Sequence, residues 1–127
     1  MFTELTAYSD IGLFILRCAV GLIFMYHGVP KLQKPGTMAS GAGMPASMIF
    51  LLGIVESFSG VVLIVGVWVQ FAALVLALVM VGAMYKKIVT WHVPFFAHNT
   101  TGWEFDAMLL AASIAILLTG GGVVRFL

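Results

Sequence analysis

Apolar residues in this chain come in long runs rather than in alternation, and turn-forming residues punctuate them. The first run extends from Ile11 to Val29. It follows Ser9-Asp10, a pair suited to an N-cap, and gives way to Pro30-Lys31 after Gly28. The stretch from Ser47 to Tyr85 is too long for one span and breaks at Gly66-Val67-Trp68-Val69-Gln70. It predicts two helices, 47–66 and 69–89, joined by a tight turn. The last run, 104–124, meets the helix-stopping triplet Gly120-Gly121-Gly122 near its end. A bilayer core of about 30 Å takes ~20 apolar residues per helix. The pattern therefore predicts an all-α, integral membrane four-helix bundle with helices 11–29, 47–66, 69–89 and 104–124. Residues 1–127 form a single transmembrane domain in this reading. Barrel strands would alternate instead, and these runs do not.

Composition points the same way. Hydrophobic residues make up 62% of the 127 positions and charged residues 9%, with a mean hydropathy of +1.14. A soluble domain is nearer ~25% charged, and one this small cannot hide so much apolar surface in a single core. Six Lys and Arg against five Asp and Glu leave no basic patch for nucleic acid, and the same numbers exclude disorder. A cleaved signal peptide is the rival explanation of the first run. Residues 1–10 contain no Lys or Arg, however, and Arg17 interrupts the apolar stretch.

With four spans, the 30–46 and 90–103 connections share one side. That side carries Lys31, Lys34, Lys86 and Lys87, whereas the other has only Arg125. The positive-inside rule then predicts both termini outside.

The charges inside the spans carry the candidate chemistry. Arg17 lies about 12 residues from the loop-side end of the first helix, and Glu56 about 9 from the start of the second. These depths are roughly 18 and 14 Å, so the two are expected to pair near the midplane. Arg17, Gly21, Phe24 and Gly28 share one face, as do Gly53, Glu56 and Gly60; small residues on facing helices permit close approach. Such a pair either fixes helix register or holds a polar or redox-active ligand. A second set gathers at the loop-side mouth: His27, Lys31, Lys34, Lys86, Lys87, Trp91, His92, His98, Trp103, Glu104 and Asp106. Interfacial Trp and snorkelling Lys account for much of it. His27 and Glu104 stand out as ionisable groups at helix ends near membrane depth.

Cys18 is the single cysteine, so no intrachain disulfide or CxxC chemistry is open to the chain. The histidines lack HxxxH, HExxH or ExxH spacing, and neither a metal nor haem is expected. Asn99-Thr100-Thr101 fits a glycosylation sequon too short to be informative. The glycines at 120–122 make no phosphate loop.

These motifs together resemble the DoxX family of small bacterial and archaeal membrane proteins. The resemblance rests on Arg17-x3-Gly21-x2-Phe24-x2-His27-Gly28-x2-Lys31-Leu32, on Gly43-Met44-Pro45, and on Gly53-x2-Glu56-x3-Gly60 with Gly66. Gly102-Trp103-Glu104 and Thr119-Gly120-Gly121-Gly122 complete it, in order over nearly the whole chain. The sequence departs at its end, where Val123-Val124-Arg125-Phe126-Leu127 replaces a Ser-Leu-Asp-like segment. The resemblance implies a multi-pass four-helix protein of a prokaryotic inner (plasma) membrane, associated with oxidoreductase systems. DoxD-like relatives resemble subunits of thiosulfate:quinone oxidoreductase, and others accompany thiol- or superoxide-handling enzymes. Motif positions carried over are Arg17, His27, Lys31, Glu56 and Glu104, with no defined catalytic role.

Two ligand-handling functions follow as expectations, beside a third, purely structural role as an assembly factor with no ligand. One is an accessory or quinone-interacting subunit of a membrane oxidoreductase, in contact with membrane lipid and a protein partner. Arg17, His27, Lys31, Glu56 and Glu104 are then the ligand-binding candidates and quinone the cofactor. The chain has no nicotinamide, flavin or iron–sulfur fingerprint and no catalytic motif of its own, so electrons would come from the partner. The alternative is a small-solute or lipid binding or transport protein working as a homo-oligomer, since four helices are few for a transporter.

Overall fold

The computed structural model describes residues 1–123, and they are helical without a strand. A 3₁₀ turn (Thr3–Tyr8) leads into α1 (Ser9–Gln33), followed by the short α2 (Pro35–Ala42), α3 (Ala46–Val65), α4 (Val69–Tyr85) and α5 (Trp103–Thr119). A π turn, Lys86–Thr90, continues α4. The first 3₁₀ turn with α1, then α3, then α4 with its π turn are each long and apolar enough to cross a membrane. At 17 residues, or about 25 Å, α5 is shorter than a ~30 Å core. The chain is thus a helical membrane bundle with three helices that meet the spanning criterion, and α5 packs alongside as a fourth long helix.

The boundaries show where local chemistry prevailed over the pattern. The first helix does not stop at Val29: it runs through Pro30 to Gln33. Proline removes one N–H near a helix end, which costs a single bond there. The stop comes from Pro35, because a residue before proline is driven out of the α region. Lys34 accordingly adopts φ −137°, ψ 58°, and its N–H closes the helix on the Pro30 carbonyl. Pro35 then starts α2 at a position where proline is favoured; the 30–46 segment expected as a loop is thus mostly helical. The predicted break at Gly66 is a left-handed turn (φ 90°) with the Gly66 N–H on the Val62 carbonyl. The last helix ends at Thr119, ahead of Gly120 (φ 77°), and position 124 of its expected range lies outside the described residues.

The helices run alternately up and down. α1 lies antiparallel to α3 with its glycines opposite those of the partner. A Cβ on Gly21 would come within 2.6 Å of the Gly60 carbonyl, and one on Gly60 within 2.6 Å of the Gly21 carbonyl. The two backbones therefore touch, as small-residue crossings in membranes do. α4 and α5 form the second pair, tied by Gln70 Nε2 donating to the Leu117 carbonyl at 2.8 Å. Val20, Phe24, Leu63, Val69, Ala72, Ala73, Leu76, Met80, Leu109 and Ile116 form the buried core between the pairs. The outer faces carry Ile15, Leu22, Phe58, Phe71, Leu78, Met108 and Leu118, all more than half exposed. In water such a belt would be untenable; in lipid it is the expected solvent-facing surface.

The glycine contact yields a direct test. Gly21→Ala is expected to lower stability by about 1–3 kcal/mol through overpacking against backbone. Gly12→Ala, whose added Cβ meets nothing within 4 Å, should not lower it. Thermal unfolding of the two variants in detergent compares them.

Candidate functional site: a charged cluster at one end of the bundle

α1 and α4 end, and α3 and α5 begin, at the same end of the bundle. There, Lys31 Nζ contacts both carboxylate oxygens of Glu56, at 2.8 and 2.7 Å. The Glu56 side chain is 4% exposed and that of Lys31 19%. Helix side chains tilt toward their own N-terminus. In this antiparallel pair Lys31 therefore leans inward from the mouth while Glu56 leans out to meet it. Gly28, one turn before Lys31, makes room by lying against Glu56 and Ser57.

The second hairpin carries a similar pair. Lys87 Nζ stands 2.8 Å from Asp106 Oδ2, donates to Thr101 Oγ1 at 2.8 Å, and lies 6.0 Å from the centre of the Phe105 ring. Asp106 is buried in the first turn of α5, where the helix dipole favours a carboxylate. Its Oδ2 has no well-directed hydrogen bond, so the ammonium holds it by charge alone. His27 sits between the two pairs. Its ring is 5.4 Å from that of Phe105 across the α1–α5 seam, and it lies within electrostatic reach of Lys31, Lys87 and Asp106. Five ionisable groups thus converge from α1, α3, the π turn and α5.

On its outward side His27 lines a shallow groove of about 570 Å³ with Leu22, Met25, Tyr26, Val29 and Pro30 of α1 and Met38 of α2. The imidazole therefore borders both the charged cluster and an apolar, lipid-facing recess.

The expected Arg17–Glu56 pair does not form. Arg17 is fully buried, donates from Nε to the Leu63 carbonyl at 2.9 Å and from Nη1 to the Gly121 carbonyl at 3.2 Å, and stacks over Phe14. Leu63 lies in the last turn of α3, whose carbonyls have no helical partner and carry the negative end of the dipole. Helix-end carbonyls meet the guanidinium at these two nitrogens. Arg17 and Glu56 lie at different depths because α1 runs on past Val29 and α3 opens before Ser47. Counted from Gln33 and Ala46, Arg17 is 16 residues in and Glu56 is 10, an offset of about 9 Å.

Of the sequence candidates, His27, Lys31 and Glu56 come together; Arg17 and Glu104 do not join them. Glu104 faces outward into a separate groove with Phe95, Phe105, Ala107, Met108 and Ala111. Two residues along a helix is about 200° around it, so Asp106 points inward where Glu104 points out. Asp106 and Lys87 appeared only among the mouth residues. Asp106 shares the spacing of buried Leu109, Ser113 and Ile116, and Lys87 continues that of Leu76, Met80 and Ala83, so helical periodicity marks both. His92 and His98 are exposed, and among the described residues no three His, Cys, Asp or Glu side chains gather as metal ligands.

The pairing can be measured. Lys31→Met leaves the buried Glu56 carboxylate uncompensated and should cost about 3–5 kcal/mol; adding Glu56→Leu should recover most of it. Arg17→Gln and Glu56→Gln, acting at separate levels, should add within about 0.5 kcal/mol in a double-mutant cycle, read by unfolding in mixed micelles.

The DoxX family model matches residues 12–99. The chain is 33% identical over 121 residues to a Bacillus subtilis protein named "Putative oxidoreductase CatD", covering 93% of this chain and 84% of that one. It is 27% identical over 121 residues to an uncharacterized Haemophilus influenzae protein, covering 94% and 90%. An uncharacterized membrane protein of Mycobacterium tuberculosis is 35% identical over 75 residues, covering 54% and 46%. No solved structure matches the chain. With its family match spanning most of the sequence, and a bundle of apolar helices beneath it, the chain belongs to the DoxX family of membrane proteins.

Proposed function

We propose that this chain is a membrane subunit of an oxidoreductase system that offers a quinone headgroup a place beside His27. The observation that carries the reading is the position of His27, with an apolar lipid-facing groove on one side and two ion pairs on the other. A quinone pairs a ring bearing two carbonyl acceptors with an apolar tail. The groove answers with one imidazole and the Tyr26 phenol among aliphatic and methionine side chains, which fits that chemistry. A bound quinone would supply the capacity to carry two electrons and two protons. In this reading His27 donates a hydrogen bond to a carbonyl, and Met25, Val29 and Met38 exclude water from the ring. Lys31–Glu56 and Lys87–Asp106 stand behind the imidazole as groups able to hold a proton. Electrons come from a protein partner, since the sequence carries no nicotinamide, flavin or iron–sulfur fingerprint. The printed name of the Bacillus relative supports a redox setting.

The same reading takes α5 as a fourth span and residues 1–127 as one domain of a prokaryotic inner-membrane protein, with its termini outside. Lys31 and Lys87 are engaged in internal ion pairs, so the orientation rests on Lys34 and Lys86; Arg125 lies outside the described residues.

Purified protein is expected to release a quinone on solvent extraction, identified by mass analysis. A short-tailed quinone analogue should bind roughly tenfold more weakly to His27→Leu, the loss of one hydrogen bond of about 1–1.5 kcal/mol, and equally well to Lys34→Gln. Recovery of no quinone, together with no redox partner in a mild-detergent pull-down, refutes the proposal. Solute uptake into vesicles holding this chain alone would favour the homo-oligomeric binding or transport alternative.

A further inference from the structure

The cluster differs in access from one end of the bundle to the other. Toward the mouth, the Lys31 and Lys87 side chains keep 19% and 15% of their surface exposed. Inward from Glu56 and Asp106 the interior closes. Phe24, Leu63, Leu76 and Ile116 are each 0–1% exposed and belong to one packed core. At the far edge of that core Arg17 donates to the carbonyl of Leu63 itself and to that of Gly121, after α5. Between the two sets of charges the described side chains are mainly apolar, with Ser59 and Ser113 the buried polar residues among them.

A polar atom beside the cluster also goes without a protein partner. Ser57 Oγ, next in sequence to Glu56 and against Gly28, has no hydrogen-bond partner. Leaving a buried oxygen without a partner is costly, and ordered water ordinarily removes that cost where the surroundings are polar. Ser113 Oγ is likewise unpartnered, but it is fully buried and two turns deeper than Asp106 along α5, at the level of the apolar layer. Ser57, beside the charged cluster, and Ser113, within the apolar core, thus carry the same chemical group into two different surroundings.

We propose that the charged cluster is a one-sided aqueous vestibule: water and protons reach His27 from the end of the bundle bearing Lys34 and Thr101, and the Phe24–Leu63–Leu76–Ile116 layer stops them there. The vestibule deepens the quinone reading, on which it rests for the use made of the proton. It assigns any proton that His27 exchanges to a single face of the membrane. Lys31 and Lys87 line the passage with their partners Glu56 and Asp106, and the imidazole stands at its inner edge.

Access is testable without any quinone, so failure of the quinone reading leaves the result interpretable. In a Cys18→Ala background, Ser57→Cys, Ser113→Cys and Thr101→Cys are reconstituted in sealed vesicles. A small membrane-impermeant methanethiosulfonate ammonium reagent is applied from each side in turn. Thr101→Cys identifies the mouth side. Ser57→Cys should react from that side alone, about tenfold or more faster than Ser113→Cys, the ratio that about 1.4 kcal/mol produces; His27→Cys should behave as Ser57→Cys. Reaction of Ser57→Cys from both sides, or of Ser113→Cys at a similar rate, overturns the sealing layer. If Thr101→Cys reacts while neither Ser57→Cys nor His27→Cys does, the vestibule is dry and the proposal falls.

Discussion

A charge held among apolar helices has to be compensated from within the chain, and how each charge meets that demand organises this bundle. Water is absent from a bilayer core, so an uncompensated group at the helix centre costs about 2.5–3.5 kcal/mol even on insertion scales. Three solutions appear here. Lys31 and Glu56 neutralise each other across α1 and α3. Lys87 and Asp106 do so across the second hairpin, with a helix N-terminus assisting the acid. Arg17 is met by carbonyls at the C-terminal ends of helices. Both ion pairs fall at one end and the guanidinium at the other, which leaves an apolar middle.

That middle is possible because the backbones approach closely. Gly21 and Gly60 let α1 and α3 meet without side chains between them, and Ala72, Ala73 and Ala77 give α4 a similarly small inner face. Phe24, Leu63, Leu76 and Ile116 then fill the space that remains. The same closeness seats Gly28 against Ser57 and Glu56, bringing Lys31 to its partner. Close packing and charge placement are one geometric arrangement seen at two levels.

Much of this was legible in the sequence, and the exceptions have physical reasons. Apolar runs located the four long helices to within a few residues, because a chain in lipid must satisfy its backbone within each segment. The shared face of Arg17, Gly21, Phe24 and Gly28 was also readable from spacing. Register was not, since it depends on where each helix truly begins. Pro30 looks like a stop but acts as an interior residue near an end, whereas Pro35 is the stop. That difference moved Arg17 away from Glu56 and gave Glu56 to Lys31. Glu104 attracted notice through a motif, yet helical rotation turns it outward and Asp106 inward. The short α2, Pro-Gly-Thr-Met-Ala-Ser-Gly-Ala, has too little apolar periodicity to announce a helix, and only its proline start hinted at one.

The energetics separate what holds the bundle from what the cluster can do. Replacing a buried ion pair with well-packed apolar residues is often neutral or stabilising, so Lys31–Glu56 and Lys87–Asp106 are weak candidates for the main source of cohesion. Cohesion comes instead from the glycine crossing and the dense layer below the cluster, both of which are apolar and continuous. The ion pairs, by contrast, are costly groups placed together with a histidine beside an apolar groove, at one end of the bundle. A bundle that needed only to stand in the membrane would be served as well by leucine at those four positions. The polar end is therefore a weak source of cohesion, and its four charged residues are costly groups that folding alone does not require.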